Sequence, residues 1–125
     1  MRDDLAAGRV LVVDDEPRIR ELLRDFLTTA GDELATAATG AAALEAVPTF
    51  QPDVILLDML MPGLSGRDVF DALRRASATV PVILIPGTPR IVEEGFFSVL
   101  RNPFDSRTIA DVVAAAVNHR RSSSA

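Results

Sequence analysis

The chain has no cysteine, no tryptophan and no tyrosine. Disulfides, zinc–thiolate centres and thiol catalysis are excluded with the cysteine. Lysine is missing as well: all 13 basic residues are arginine, and the one histidine is His119. No apolar run approaches the length of a membrane span. The opening MRDDLAAG lacks the apolar stretch of a secretory leader, so a cytoplasmic location without membrane contact is expected. Positive charge is scarce: the net charge is −5, and a basic cluster stands at Arg120–Arg121 near the end of the sequence. A phosphate backbone demands a basic face, so direct nucleic-acid binding is not expected.

What is present fits a globular chain. Over 125 residues, 48% are hydrophobic and 25% charged, enough to bury one core. One domain over 1–121 is expected, with 122–125 as a tail; the whole of His119–Ala125 (HRRSSSA) reads as solvated.

Three runs read as strands buried on both faces: Arg9–Val13 (RVLVV), Asp53–Asp58 (DVILLD) and Pro81–Ile85 (PVILI). Continuous apolar runs without polar alternation suit a parallel sheet covered by helices. Glu33–Ala38 and Phe97–Arg101 are weaker candidates. Between them, Ile19, Leu22, Leu23, Phe26, Leu27 and Ala30 form one helical stripe, with Pro17 suited to the first turn and Gly31 to the stop. Gly40–Val47, Ser65–Ser77 and the stripe Ile109, Val112, Val113, Ala116, Val117 are further helices. The alternation predicts an α/β fold, a doubly wound, flavodoxin-like parallel sheet of five strands in the order 2-1-3-4-5.

In that topology strands one and three are neighbours at the switch point, where ligands bind beyond the carboxyl ends. Asp14 and Asp15 follow strand one and Asp58 closes strand three, so three carboxylates converge. Such a cluster repels itself unless a cation neutralises it, and hard oxygen donors suit Mg²⁺. With the metal in place, a carboxylate can attack a phosphoryl group in line. Read singly, Asp14–Asp15–Glu16 equally suits complementing a helix N-terminus, and Asp58 a loop carboxylate held by backbone N–H groups.

At these residues the chain resembles the receiver domains of two-component response regulators. Val10–Glu16 (VLVVDDE) and Asp53–Gly66 (DVILLDMLMPGLSG) carry the resemblance, with Met61–Pro62–Gly63 and Gly66 at the expected offsets, Pro81–Ile85 on the fourth strand and Asn102–Pro103–Phe104 on the Lys-Pro-Phe segment. The resemblance implies that Asp58 is the phosphoacceptor and that Asp15 is a direct Mg²⁺ ligand. It makes Asp14 a ligand through water and the Leu60 backbone carbonyl a further ligand. It implies a histidine kinase or phosphotransfer protein as donor and a protein partner downstream, and it leaves a homodimer open. It also implies a cis Asn102–Pro103 bond.

The departures fall on the switch. The family's Thr or Ser after strand four is Pro86, which has neither hydroxyl nor N–H. Its lysine is Asn102, an uncharged amide. Its switch aromatic is Val99. Arg101 and Thr88 are the neighbours that could stand in, although strand alternation turns Arg101 away from the pocket. Gly87–Gly95 leaves about two helical turns less than the family's fourth helix, so that helix is expected to be short or missing, with Phe96 and Phe97 either covering that side or packed as ordinary core. Two functions follow: a receiver phosphorylated on Asp58 with a non-standard output, or a pseudo-receiver that meets partners without phosphorylation. A separate enzyme activity is not expected, since no histidine or second acid accompanies the carboxylates.

Overall fold

A computed structural model describes residues 8–59, 61, 63, 65–76, 79–85, 98–99 and 106–123, with backbone alone at 98–99, 106 and 121–123. The sheet is parallel and built around β1 (Arg9–Val13), which pairs with β2 (Glu33–Ala37) on one side and β3 (Val54–Asp58) on the other. β4 (Val82–Ile85) pairs with β3. β5, of which Ser98–Val99 are described, pairs parallel with β4 at the edge, so the sheet has the expected order β2-β1-β3-β4-β5.

Successive strand residues point to opposite faces, and the core divides accordingly. Val10, Val12, Val54, Leu56, Ile83 and Ile85 pack with Leu23 and Leu27 of α1 (Pro17–Thr29) and with Ile109, Val113 and Val117 of α4 (Ser106–Ser123). Leu11, Val13, Ile55, Leu57 and Val82 pack on the other face with Ala43 of α2 (Gly40–Phe50) and with Val69, Phe70 and Leu73 of α3 (Gly66–Arg75). Burial on both faces is why the strands show no polar alternation in the sequence.

The helix starts have local causes. Thr39 Oγ1 accepts the Ala42 N–H at 3.0 Å and opens α2. Ser65 and Asp68 form a reciprocal capping box at the start of α3, while Arg74 and Arg75 complement its last turn. Gly31 follows α1 at φ 99, the conformation that a side chain disfavours, as its place after the stripe suggests.

Two helices outrun their sequence limits. α2 continues past Val47 through Pro48 to Phe50, because Pro48 sits in the last turn, where it forgoes one backbone bond. It closes on Gln51, which takes the left-handed φ of 54 and donates its N–H to Val47 O. α4 runs on through His119 to Ser123, so most of HRRSSSA is helix instead of a solvated tail. Arg120 reaches the foot of β3, its Nε lying 3.7 Å from Asp53 Oδ1, which ties the last turns to the sheet. Among the described residues no helix is long and apolar enough to cross a membrane. The expected loss of the helix after strand four, and the roles of Phe96 and Phe97, fall in 86–97, outside the described residues.

Candidate functional site

The register between β1 and β3 builds the site. Val13 lies beside Leu57, so one step further along two parallel strands brings Asp14 beside Asp58. Asp15 follows in the loop before α1. The carboxylate oxygens of Asp14, Asp15 and Asp58 lie within 4.8 Å of one another, a grouping that can hold a metal ion. Asp14 and Asp58 are buried and Asp15 is exposed, which leaves the cluster open to solvent on one side.

Asp14 is fixed from every direction its backbone and side chain offer. Its N–H donates to Ala37 O at 3.1 Å, joining the site to β2. Its carboxylate Oδ1 accepts the Glu16 N–H at 2.9 Å. Its carbonyl accepts a bond from Arg20 Nη1 at 2.8 Å. Its carboxylate lies within 4.8 Å of that of Asp58. On the far side, Met59 N–H donates to Ile85 O and Gly66 N–H returns to Met59 O, so the chain leaving Asp58 folds back onto the start of α3. Gly63, between them in sequence, takes φ 77, a conformation open to glycine at no steric cost.

Burial raises the Asp14 carboxyl above its ordinary value of 3.8; the Glu16 N–H opposes that rise, and the Asp15 charge adds to it. Two carboxyls held in contact at the end of a parallel sheet are an arrangement that a hard cation relieves. The donor set therefore fits a divalent ion with oxygen ligands. A purely capping role for Asp14–Asp15–Glu16 fits less well, because α1 has no side-chain cap at Glu16 and no acidic residue in its first turn.

Leu60, Pro62, Pro86, Thr88, Arg101, Asn102 and Pro103 lie outside the described residues. Val99 is described only as backbone, paired with Leu84. The structure thus brings together Asp14, Asp15 and Asp58 of the residues singled out in the sequence. It adds Arg20 and the Glu16 N–H, which the sequence did not single out. A basic residue in the first turn after an acidic pair was the available signal, but Arg18 and Arg20 both satisfied it and only the fold chose.

A second concavity of about 600 Å³ lies at the opposite, amino-terminal end of the sheet, lined by Arg9, Gln51, Asp53, Thr79 and Arg120 among others. Its arginines are engaged: Arg9 Nε donates to Phe50 O and Nη1 to Glu33, while Arg120 faces Asp53. Ligands of open α/β sheets bind beyond the carboxyl ends, where the three aspartates are.

Residues 10–114 match the family model described as the response regulator receiver domain. The transcriptional regulatory protein KdpE of Mycobacterium tuberculosis is 49% identical over 76 residues, covering 61% of this chain and 33% of that protein. The DNA-binding response regulator MtrA of Mycolicibacterium smegmatis is 34% identical over 118 residues, covering 90% of this chain and 51% of that protein. A solved response regulator receiver domain protein from Clostridium thermocellum superposes with a TM-score of 0.83 at 27% identity, over 91% of this chain and 97% of that one. The chain spans a third to a half of the two regulators it matches.

These relatives correct one expectation. Scarce positive charge argued against a nucleic-acid partner, yet MtrA is a DNA-binding regulator that contains a region like this one. Net charge counted over these residues describes only the part that they form, and the remainder of such a regulator carries its own surface. With the described fold and the match over 10–114 in agreement, the chain belongs to the response regulator receiver domain family of two-component systems.

Proposed function

We propose that the chain receives a phosphoryl group on Asp58, with Mg²⁺ held among Asp14, Asp15, Asp58 and the Leu60 carbonyl. The observation that carries this reading is the convergence of three carboxylates, within 4.8 Å, at the ends of two adjacent strands. Bound Mg²⁺ would supply charge to offset the phosphoryl oxygens. One Asp58 oxygen forms the bond to phosphorus as the bond to the donor's leaving group breaks, and that group departs with the electron pair. Asp14, buried beside Asp58, would orient the acceptor, and Asp15, on the open side, would be the direct metal ligand. Within a regulator built like MtrA or KdpE, this region would be the part that takes the phosphoryl signal.

The output is proposed to be non-standard, because Pro86, Val99 and Asn102 replace the residues with which the family senses the phosphoryl group. Those substitutions also favour the second reading, an interaction module that works without phosphorylation. Intact-mass measurement after incubation with Mg²⁺ and acetyl phosphate separates the two. The first reading expects the mass of one added phosphoryl group, absent in Asp58→Ala and without Mg²⁺. An unchanged mass at millimolar donor and metal leaves the second.

A further inference from the structure

Arg20 sits in the first turn of α1 and reaches back past the loop to the peptide that joins Asp14 to Asp15, its Nη1 donating to the Asp14 carbonyl oxygen at 2.8 Å. Its own backbone N–H is tied to Glu16 O at 3.1 Å, so the base of the side chain is as firmly placed as its tip. The guanidinium is partly buried there, whereas Arg18 and Arg24 on the same helix are exposed.

The grip acts on both aspartates at once. The Asp14 carbonyl and the Asp15 N–H belong to one rigid peptide plane. Holding the oxygen sets that plane, and with it the direction in which the chain enters the Asp15 Cα. Asp14 has further restraints in Ala37 O and the Glu16 N–H. The Asp15 side chain has no hydrogen bond among the described residues and is exposed. Its aim at the cluster therefore depends on its backbone.

We propose that Arg20 is a positioning residue for cation binding, pinning the Asp14–Asp15 peptide so that the Asp15 carboxylate faces Asp14 and Asp58. The proposal rests on the reading that these three carboxylates hold Mg²⁺. A guanidinium suits the task because it stays charged and offers several donors from one planar group. Outer partners of this kind set metal affinity without touching the metal, and their loss typically weakens binding about 10–100-fold.

The test is Mn²⁺ affinity, read from the electron paramagnetic resonance signal of the free ion, since the chain has no tryptophan or tyrosine to report binding. Arg20→Met keeps the aliphatic stem and removes every donor; it is expected to bind Mn²⁺ at least ~10-fold more weakly per folded molecule, with the folded fraction taken from circular dichroism in EDTA. Arg20→Lys, which still donates, is expected to recover most of the loss. Arg24→Met, on the exposed face, is expected to bind as the wild type does. If Arg20→Met does not fold, Arg20→Gln is read in its place, since its shorter side chain also loses the reach to Asp14. Wild-type affinity in Arg20→Met or Arg20→Gln overturns the proposal, as does a loss in Arg20→Lys equal to that in Arg20→Met. A wild-type protein that binds no Mn²⁺ at millimolar concentration overturns the metal site itself, a separate outcome.

Discussion

Gly66, the first residue of α3, rests so closely on Asp58 that a β-carbon there would come within 2.5 Å of the Asp58 carbonyl oxygen and 2.7 Å of the Met59 Cα. Both neighbours are backbone, and neither can swing aside. The close approach lets the Gly66 N–H reach Met59 O at 3.2 Å. Gly66→Ala is therefore expected to destabilise by about 1–3 kcal/mol in chemical denaturation. At an unconstrained helix position the same change would stabilise by roughly 0.5–1 kcal/mol, so the sign of the measured change tests the contact.

Asp14 sets a pH dependence. Its folded pKa lies above 3.8, chiefly because burial disfavours the charge. The folded state therefore holds that proton more readily than the unfolded state, and the group's contribution to stability falls as pH rises from about 4 through the raised value. Asp14→Asn keeps an oxygen for the Glu16 N–H and removes the charge. In EDTA the variant is expected to melt higher than the wild type at neutral pH, and the gap is expected to narrow as pH falls toward 4. Thermal melts across that window check it; a gap that widens toward acid contradicts it.

Asp15 separates metal binding from fold stability. Exposed and without hydrogen bonds among the described residues, it is expected to tolerate Asp15→Asn in EDTA within about 0.5 kcal/mol. Saturating Mg²⁺ stabilises a protein that binds it only when folded, by about 2.7 kcal/mol at a hundred times Kd. That gain is expected in the wild type and lost in Asp15→Asn, read as the Mg²⁺-dependent shift in melting temperature.

Gln51 closes α2 in the left-handed region at φ 54, where a side chain is disfavoured. Gln51→Gly relieves about 1–2 kcal/mol of that conformational penalty, against a glycine entropy loss of roughly 0.5–1 kcal/mol. A net gain on the order of 0.5–1 kcal/mol is expected from urea melts.

At the opposite end of the sheet, Asp53 Oδ2 accepts the Arg9 N–H at 2.9 Å while Arg120 lies 3.7 Å from its other oxygen. The ion pair is partly exposed, so Arg120→Ala is expected to cost less than about 1 kcal/mol. Asp53→Ala leaves a strand N–H unmet and is expected to cost more, about 1–3 kcal/mol. Equal effects in denaturation would show that the ion pair, and not the bond to Arg9, holds β1 to β3 at that end.

The site was legible where it depended on strand ends. Asp14, Asp15 and Asp58 could be placed together because the apolar runs before them were continuous, which marked strands buried on both faces. The helix limits at Pro48 and His119 were less legible. Proline and serine mark breaks by local preference, whereas α2 tolerates Pro48 in its last turn and α4 is held to Ser123 by its buried stripe and by Arg120. The reading of partners from net charge erred because charge is a property of the residues counted, and relatives such as MtrA extend well beyond them.

Sequence alone determined the layering and the chemistry available at Asp58: periodicity fixed which elements form, and residue identity fixed three carboxylates and a chain without lysine. Only the tertiary structure decided how these groups meet. The parallel register set Asp14 beside Asp58, burial raised the Asp14 carboxyl, and the fold chose Arg20 over Arg18 to hold the Asp14 carbonyl. Those outcomes depend on distances between residues far apart in the chain, which local pattern does not carry.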